Sequence, residues 1–240
     1  MRVASLNDIH GNLPALEAVL VDVEREGVDA IVIGGDVAVG PYPRETLERL
    51  QGVGDGVLFL RGNADREAVT ESAHAAVAWT SERLTDSQRA LLAGLPTTIS
   101  LEVDGLGPVL FCHGSPRSDE EILTKVSPDE RLRAALAGVE ERVVVCGHTH
   151  HQFDRVVDGW RLVNAGSVGM PYEGRPGAYW TLFGPDVEPR RTEYDVEAAA
   201  RGIEALGYPD DLAELLRKPP PADEVAEYFE SLAPRFDPAP

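Results

Sequence analysis

Seven side chains of the types that bind metal ions lie in five short clusters within the first 150 residues of this chain. They are Asp8, His10, Asp36, Asn63, His113, His148 and His150. Carboxylate, amide and imidazole donors without a thiolate favour Mn, Fe, Zn, Ni or Mg over copper(I) or a structural thiolate zinc site. These donors suffice to hold two divalent cations that share one carboxylate. Two such ions with open coordination positions are suited to the hydrolysis of phosphate esters.

Each cluster follows a stretch that is predicted to be a β-strand. These stretches are residues 3–6, 30–33, 57–60, 108–111 and 142–145. In a parallel sheet, ligands gather at the carboxyl ends of the strands, where the loops converge. Glycines accompany nearly every cluster, and glycine permits the backbone conformations that a tight strand exit needs. The five clusters are therefore predicted to meet at one rim.

The elements that carry the clusters are predicted from hydrophobic periodicity. Helical spacing at residues 13–26 and 44–50 alternates with apolar strands, which indicates a largely parallel sheet with crossover helices. Residues 67–95 have a helical pattern, and residues 98–103 and 108–111 are predicted to form a hairpin around Asp104 and Gly105. After a helix near 129–137, short strands at 153–157, 160–163, 179–183 and 189–194 predict a second, mixed or antiparallel sheet packed on the first.

The carboxyl-terminal residues differ in character from the rest of the chain. Residues 197–206 and 212–216 are amphipathic helical segments, and Pro219 to Pro221 separate them from a final helix near 224–232. A proline-rich stretch of this kind acts as a stiff spacer. We therefore predict a domain over residues 1–195 and a helical extension over residues 196–240. The extension contains no cluster of potential ligands, so it is expected to pack on the domain or on a partner subunit and to serve stability or assembly.

The five clusters, in this order, resemble the motifs of the calcineurin-like metallophosphoesterase superfamily over roughly residues 1–170. The runs Asp8-Ile9-His10-Gly11-Asn12 and Asn164-Ala165-Gly166-Ser167-Val168-Gly169 resemble in particular its small prokaryotic phosphodiesterase branch. The resemblance implies an α/β fold with a two-layer mixed β-sandwich flanked by helices, here with the helical carboxyl-terminal segment. It also implies the ligands of each ion. Asp8, His10, Asp36 and His150 would bind the first metal, and Asp36 would bridge to a second metal bound by Asn63, His113 and His148.

The expected activity is metal-dependent phosphoester hydrolysis, with phosphodiesters ahead of phosphomonoesters. A hydroxide bridging two divalent ions would attack phosphorus in line, with Mn as the first choice of metal and Fe, Zn, Ni or Mg as alternatives. Phosphomonoester or phosphoprotein hydrolysis and dinucleoside polyphosphate hydrolysis stay open, because these activities share the motifs. The catalytic candidates are Asp36, His10, Asn63 and Asp65.

One departure from the superfamily pattern concerns the proton donor for the leaving group. Many members carry Gly-Asn-His, whereas this chain has Gly62-Asn63-Ala64-Asp65, and Ala64 cannot donate a proton. A positioned general acid typically contributes about 10²–10⁴-fold, so basic alkoxides are expected to leave slowly. His10, Asp65 or a metal-bound water would have to substitute. The missing donor also motivates an alternative from another class, a metal-binding regulatory protein with little turnover.

Several other polar residues allow two interpretations. Asn12 either binds substrate or caps a helix. Asn63 is expected to contact substrate as well as metal, and Arg117 either clamps a phosphate or lies in a solvated loop. Asn164 and Ser167 form a turn or line the site, and Tyr42 covers the site or shapes a loop. Residues 79–95 form a lid or simply pack. His151 either flanks the site or is a polar strand residue, the interpretation we favour, and His74 is expected to be an ordinary surface or core histidine.

Composition limits the partners of the chain. A formal charge of −19 disfavours nucleic-acid polymers and anionic membranes, but two metal ions would still attract a small phosphorylated substrate. The two cysteines, Cys112 and Cys146, are expected to be buried reduced thiols. Because the first motif begins at Asp8 and no apolar run reaches about 18 residues, we expect neither a signal peptide nor a membrane span, and hence a cytoplasmic protein. Homo-oligomerisation is left open.

Overall fold

The β-strands and helices of the chain are taken from a computed structural model that describes residues 1–70 and 74–235. The strands are β1 (Val3–Leu6), β2 (Ala30–Ile33), β3 (Val57–Phe59), β4 (Thr98–Val103), β5 (Gly107–Cys112), β6 (Val143–Cys146), β7 (Phe153–Val157), β8 (Trp160–Asn164), β9 (Ala178–Phe183) and β10 (Val187–Thr192). The α-helices are α1 (Leu13–Glu26), α2 (Pro43–Gln51), α3 (Asn63–Ala68), α4 (Ala75–Arg83), α5 (Asp86–Ala93), α6 (Asp129–Leu136), α7 (Val196–Leu206), α8 (Leu212–Arg217) and α9 (Ala222–Leu232).

The strands form two mixed five-stranded sheets. The first has the order β10-β9-β1-β2-β3, and the second has the order β4-β5-β6-β8-β7. The parallel strands are β1, β2 and β3 in the first sheet and β5, β6 and β8 in the second. Antiparallel pairing with their neighbours is found for β9, β10, β4 and β7. The predicted parallel core of the first sheet and the hairpin β4–β5 are confirmed.

The expectation that residues 179–183 and 189–194 join the second sheet was wrong. Strand β9 pairs antiparallel with β1, with Ser5 opposite Thr181, and β10 pairs with β9. All six residues of β9 are buried, which suits a strand that has a neighbour on each side and layers on both faces. The apolar pattern shows that such a strand is buried, but it does not show which sheet the strand enters.

The two sheets pack face to face around an apolar core. Val3, Val32, Phe111, Val145 and Phe183 contribute to it from both sheets, and the rings of Phe111 and Phe183 meet edge-on with centroids 5.8 Å apart. The outer face of the first sheet is covered by α1, α2, α7 and α8, and that of the second sheet by α6. The result is the expected sandwich flanked by helices.

The helical character indicated between 67 and 95 is confirmed: the described residues 63–70 and 74–93 contain three short helices, α3, α4 and α5. Helix α3 begins at Asn63 itself, and α5 begins at a Thr85 cap whose hydroxyl accepts a hydrogen bond from the Gln88 N–H. Val77, Leu84 and Leu92 from this region are buried in the core outside the first sheet. The stretch 79–95 therefore packs against α2 and α3, which favours the packing interpretation over a lid.

The carboxyl-terminal helices pack on the sandwich. Ile203, Leu212 and Leu216 are buried in the same core as α1 and α2. Farther along, the Ser127 hydroxyl donates a hydrogen bond of 2.7 Å to Glu230 of α9. The boundary at residue 195 and any contact with a partner subunit stay predictions. No helix in the described parts of the chain is both long enough and apolar enough to cross a membrane.

Candidate metal centre

The predicted ligands converge at the carboxyl ends of the parallel strands of both sheets. Asp8, Asp36 and Asn63 follow β1, β2 and β3, whereas His113 and His148 follow β5 and β6. Their donor atoms form two groups, and within each group the atoms lie within 4.8 Å of one another. One group contains Asp8, His10, Asp36 and His150, and the other contains Asp36, His113 and His148. Asp36 belongs to both.

Short distances link these side chains across the rim. The Nε2 atom of His150 lies 3.2 Å from Asp8 Oδ1, and the Nε2 atom of His113 lies 3.4 Å from Asp36 Oδ2. Asn63 joins the second group, because its Oδ1 atom is 3.1 Å from His113 Nε2. The structure thus brings together all seven side chains that the sequence singled out.

Three of the imidazoles are oriented by backbone carbonyls. The Nδ1 atoms of His10, His113 and His150 lie 3.1, 2.9 and 2.9 Å from the carbonyl oxygens of Val39, Gly34 and Met170, respectively. Since a carbonyl accepts only, each Nδ1 carries a proton, and in its neutral form each ring presents the lone pair of Nε2 to the centre. Contacts of this kind fix the tautomer of metal-binding histidines.

The facing imidazoles of His10 and His150 test whether a cation fits. Their Nε2 atoms are 3.2 Å apart, yet both Nδ1 atoms donate to carbonyls, so two lone pairs face each other in the neutral rings. Beside them lie the carboxylates of Asp8 and Asp36, which are buried. Buried acceptors packed together are stabilised when a cation lies between them. The donor set therefore fits a divalent metal.

Backbone strain is concentrated at the same residues. Asp8, His10, Asp36, His148 and His150 have φ values of 51°, 47°, 52°, 65° and 58°. Positive φ is uncommon for residues with a Cβ and costs about 1–3 kcal/mol each where the conformation is sparsely populated. Among the described non-glycine residues, only Asp158 joins these five. Five of these six described residues lie in one centre, and such clustering points to a functional role for the strained conformations.

Two glycines allow the loops to approach the carboxylates. A Cβ at Gly62 would overlap Asp36 Oδ1, and a Cβ at Gly147 would lie 2.5 Å from Asp8 Oδ2. Neither distance is compatible with a side chain. The glycines of these motifs are therefore required by close approach of the backbone to the ligands.

The charges of the centre are strongly coupled. Burial opposes protonation of His113, but the charges of Asp36 and Asp8 outweigh it and raise its pKa to about 10. Burial alone would raise the pKa of Asp36, yet the neighbouring histidines, His113 first, hold this pKa well below its ordinary value. Burial and the charge of His113 lower the pKa of His148 to about 4. The centre thus stabilises positive charge beside Asp36.

Asp65 lies behind the ligands with its carboxylate turned toward the backbone. Its Oδ1 atom accepts hydrogen bonds from the N–H groups of Val37 and Ala38 at 2.9 and 3.3 Å, and its Oδ2 atom accepts one from Gly62 at 3.0 Å. Burial and the charge of Asp36 raise its pKa to about 7, against these hydrogen bonds. Asp65 therefore joins the loop after β2 to the loop after β3. This arrangement suits a positioning residue, and the catalytic role expected for Asp65 stays a prediction.

Asn12, Asn164 and Ser167 also hold loops in place. Asn12 caps α1, since its Oδ1 atom accepts the Ala15 N–H, and its amide donates to the carbonyl of Gly169 at 2.9 Å. The Asn164 amide donates to the Gly147 carbonyl at 2.6 Å. The Ser167 hydroxyl donates to the Asp8 carbonyl at 2.7 Å. The capping interpretation of Asn12 is thus favoured over substrate binding, and the other two residues shape the ligand loops.

The remaining candidates lie beside the centre or away from it. Arg117 is paired with the buried carboxylate of Glu121, with 2.9 Å between Nε and Oε2, and it lines a cavity that His113 also lines. Tyr42 lines a different cavity with Trp79 and Arg83.

Two histidines and the cysteines behave as ordinary structural residues. His151 is buried with Nδ1 2.9 Å from the carbonyl of Thr149 and belongs to neither ligand group. His74 occupies the exposed N-cap position of α4. Cys112 and Cys146 are buried free thiols, as expected, and burial raises the pKa of each.

Sequence reasoning missed two residues that contact the centre. The ring of Tyr172 stacks on that of His150, with centroids 4.9 Å apart and an angle of 21°, and the ring of Phe229 from α9 lies 6.2 Å behind it. The side chain of Asn7 lies against the backbone of Gly34 and Gly147. The aromatic residue lies far along the chain from the motifs, so no local pattern would reveal it, whereas Asn7 directly precedes Asp8 and is a polar residue at the end of a buried strand.

The sequence of the chain matches a family model and other proteins over most of its length. The model of the calcineurin-like phosphoesterase superfamily domain matches residues 1–183. An uncharacterized protein of Methanocaldococcus jannaschii is 28% identical over 239 residues, which cover 89% of this chain and 96% of that protein. The phosphodiesterase YfcE of Escherichia coli is 28% identical over 193 residues, which cover 76% of this chain and 87% of that enzyme.

Solved structures agree over nearly the whole chain. A hypothetical protein from Pyrococcus horikoshii, 25% identical, superposes with a TM-score of 0.80 and covers 92% of this chain and 99% of its own. A metallophosphoesterase from Sphaerobacter thermophilus, 27% identical, superposes with a TM-score of 0.72 and covers 91% and 98%, respectively. Together with the match of the family model and the convergent Asp and His side chains, this shows that the chain belongs to the calcineurin-like phosphoesterase superfamily and is a metal-dependent phosphoester hydrolase.

Proposed function

We propose that this protein is a phosphodiesterase that uses two divalent metal ions. The observation that carries the proposal is the position of Asp36, whose carboxylate belongs to both groups of candidate ligands. A carboxylate shared in this way would serve as a ligand to both ions of a two-metal site. The likeness to the phosphodiesterase YfcE favours diesters, and hydrolysis of monoesters, phosphoproteins or dinucleoside polyphosphates is the alternative within the same chemistry.

Side chains of this chain would hold the two ions. Asp8, His10, Asp36 and His150 would bind one, and Asp36, Asn63, His113 and His148 the other. When bound, the ions would neutralise charge on the phosphoryl oxygens and supply an activated water. Oxygen and imidazole donors suit Mn, with Fe, Zn, Ni or Mg as alternatives.

The surrounding protein keeps these ligands in position. The carbonyls of Val39, Gly34 and Met170 orient three imidazoles, and the Ala64 N–H donates a hydrogen bond of 2.8 Å to Asp36 Oδ1. Because this bond occupies Oδ1, the other carboxylate oxygen of Asp36, Oδ2, faces the Nε2 atoms of His10 and His113. Preorganised ligands need not rearrange when substrate binds, which is a main source of catalytic power.

Protonation of the leaving group is the step that the candidate residues support least. Ala64 cannot act as a general acid, because its side chain carries no ionisable proton. Both carboxylate oxygens of Asp65 accept backbone hydrogen bonds, and the protonated nitrogen of His10 faces the carbonyl of Val39. The structure therefore favours substrates whose leaving group departs without help, such as aryl esters.

Activity of metal-reconstituted protein tests the proposal. Wild type stripped of metal and reloaded with Mn should hydrolyse bis(4-nitrophenyl) phosphate faster than 4-nitrophenyl phosphate. Asp36→Asn should lose most metal, measured by elemental analysis, and most activity. Asp158→Asn is the matched control, because Asp158 also has positive φ but lies in the exposed turn between β7 and β8. A wild-type protein inactive on both esters, or an Asp36→Asn variant equal to it, would refute the proposal.

The absence of a proton donor at Ala64 also favours a second candidate, a metal-binding regulatory protein with little turnover. Such a protein would bind Mn and a phosphorylated ligand without releasing product over long incubation. Metal-dependent turnover that His148→Ala abolishes would exclude it.

The partner and the location are proposals that follow from the charge of the chain. With a formal charge of −19, a small phosphorylated substrate suits the centre better than a nucleic-acid polymer or an anionic membrane. A cytoplasmic location fits this substrate class, and self-association stays open. A panel of nucleotides, cyclic nucleotides and other phosphoesters, offered to the Mn-loaded protein, would identify the substrate.

A further inference from the structure

A cavity of about 210 Å³ shares the side chain of His113 with the candidate metal centre. Its wall is formed by Arg61, Thr97, His113, Ser115, Pro116, Arg117, Ser118 and Asp119. Pockets that hold whole small molecules usually measure about 300–1,000 Å³. This cavity therefore suits one functional group of a ligand whose remainder lies at the metal centre.

Two arginines from separate loops supply hydrogen-bond donors to this cavity. Arg61 lies two residues before Asn63, and Arg117 lies four residues after His113. The guanidinium is a planar set of donors that matches the oxygens of a phosphate or a carboxylate. Because both arginines are close in sequence to candidate metal ligands, an anionic group bound here would lie near the phosphorus that the metals bind.

Arg61 is the less satisfied of the two. Its Nε atom lies 3.8 Å from Asp119 Oδ2, which is beyond hydrogen-bond distance, and it is buried without a hydrogen-bond partner among residues 1–70 and 74–235. Asp119 takes its hydrogen bonds from Arg66 instead, at 3.0 and 3.3 Å. A buried donor of this kind is stabilised by an added acceptor.

Arg117, which lines the same cavity, is held in place by hydrogen bonds. Its Nε atom donates to Glu121 Oε2 at 2.9 Å, and its backbone N–H donates to the Ser115 hydroxyl at 3.3 Å. Glu121 is completely buried. Since the guanidinium is already fixed, little rotamer entropy would be lost when an anion binds.

We propose that this cavity binds a second anionic group of the substrate, so that the substrate is a phosphoester carrying a further phosphate or carboxylate within a few bonds of the scissile phosphorus. This inference rests on the proposed phosphodiesterase function and specifies its substrate class. A protein of charge −19 would still be able to bind such a doubly anionic ligand. The acidic surface is screened beyond about 8 Å at physiological ionic strength, whereas the arginines act by contact.

Calorimetric titration of Mn-loaded protein with inert phosphonates tests the inference without turnover. The probes are butylphosphonate, with one anionic group, and 3-phosphonopropionate and propane-1,3-bisphosphonate, with two. Wild type should bind at least one of the two-anion probes about 10–100-fold more tightly than butylphosphonate, the range expected for hydrogen bonds to charged groups. The tighter of the two identifies the second group as carboxylate or phosphate.

Arg61→Gln should abolish this preference, because Gln lacks the charge while Asp119 keeps its bonds to Arg66. Arg175→Gln is the matched control, since Arg175 is an exposed arginine paired only weakly with Glu193 at 3.2 Å, and it should keep the preference. A wild type without the preference, or an Arg61→Gln variant that retains it, would overturn the inference. Thermal melting of each variant shows whether it is folded, and Arg61→Lys provides a second variant that should retain an intermediate preference.

Failure of this inference differs from failure of the proposed function. If only the inference fails, bis(4-nitrophenyl) phosphate is hydrolysed but the two-anion probes bind no better than butylphosphonate. If the proposed function fails, wild type hydrolyses no phosphoester, whatever the phosphonates do.

Discussion

Replacement of Asp65 separates a positioning role from a catalytic one. Three backbone N–H groups, those of Val37, Ala38 and Gly62, donate to its two oxygens at 2.9–3.3 Å. Asp65→Asn keeps one oxygen and so retains the two bonds from Val37 and Ala38. Asp65→Ala retains none. Both variants remove the buried charge. The effect of its removal on the free energy of unfolding is therefore the same in each and does not contribute to the difference between them.

The expected difference follows from the number of donors left unpaired. Asp65→Ala leaves two more buried N–H groups without an acceptor than Asp65→Asn does, at about 1–3 kcal/mol each. The Ala variant should therefore be about 2–6 kcal/mol less stable than the Asn variant. This is a large part of the total stability of a typical protein, about 5–15 kcal/mol, and the loops bearing Asp36 and Asn63 should separate first.

Urea unfolding of the metal-free proteins measures this difference, and elemental analysis measures the Mn that each variant retains. Turnover of aryl and alkyl phosphodiesters is then expressed per bound Mn. If Asp65 positions the loops, the Asn variant loses some metal but keeps the ratio of aryl to alkyl turnover. Equal stability of the two variants would refute the hydrogen-bond reasoning. An Asn variant with full metal content that lost only alkyl turnover would show that Asp65 is the proton donor.

Further predictions concern the leaving group, the carboxyl-terminal helix and the metals. Because Ala64 supplies no proton, rates on a series of diesters should fall steeply as the leaving-group pKa rises, and Ala64→His should flatten the series; a flat series in wild type would mean that another acid is in place. Truncation before Lys218 should lower the melting temperature and, because it also removes Phe229, weaken Mn binding severalfold, but at saturating Mn it should leave activity per folded molecule largely intact. A folded, metal-bound but inactive truncation would show that the tail completes the site. Phe229→Ala removes the ring behind Tyr172 and should weaken Mn binding severalfold in a titration. Tyr228→Ala, which changes an exposed neighbour, should not weaken it. Equal Mn affinities of the two variants would show that the aromatic stack does not support the metal ligands. Saturating Mn at about 100 times its Kd should stabilise the folded protein by about 2.7 kcal/mol per occupied site, seen as a higher melting temperature that chelator reverses. No shift would contradict metal binding.

Local pattern was sufficient for most elements of the fold. The strands at β1, β2 and β6 are short, wholly buried apolar runs, and their type and position were predicted because such runs are characteristic of strands covered on both faces. The pattern did not distinguish one long helix from α3, α4 and α5, because a break in a helix depends on caps such as Thr85 and on what each face contacts. Nor did it assign β9 to a sheet, since pairing with β1 joins residues that are far apart along the chain.

The sequence by itself determined which residues could hold metal, because ligand chemistry depends on residue type and the strand-end positions follow from local periodicity. Only the tertiary structure decided what surrounds them. The His148 N–H reaches Asp8 Oδ2 at 3.0 Å across 140 residues of chain, and Tyr172 is stacked on His150 with Phe229 behind it. The tertiary structure also places the Asp65 carboxylate against backbone amides and Arg61 beside the cavity that His113 lines. Such contacts depend on how distant segments pack, and residue type and spacing carry no direct record of that packing.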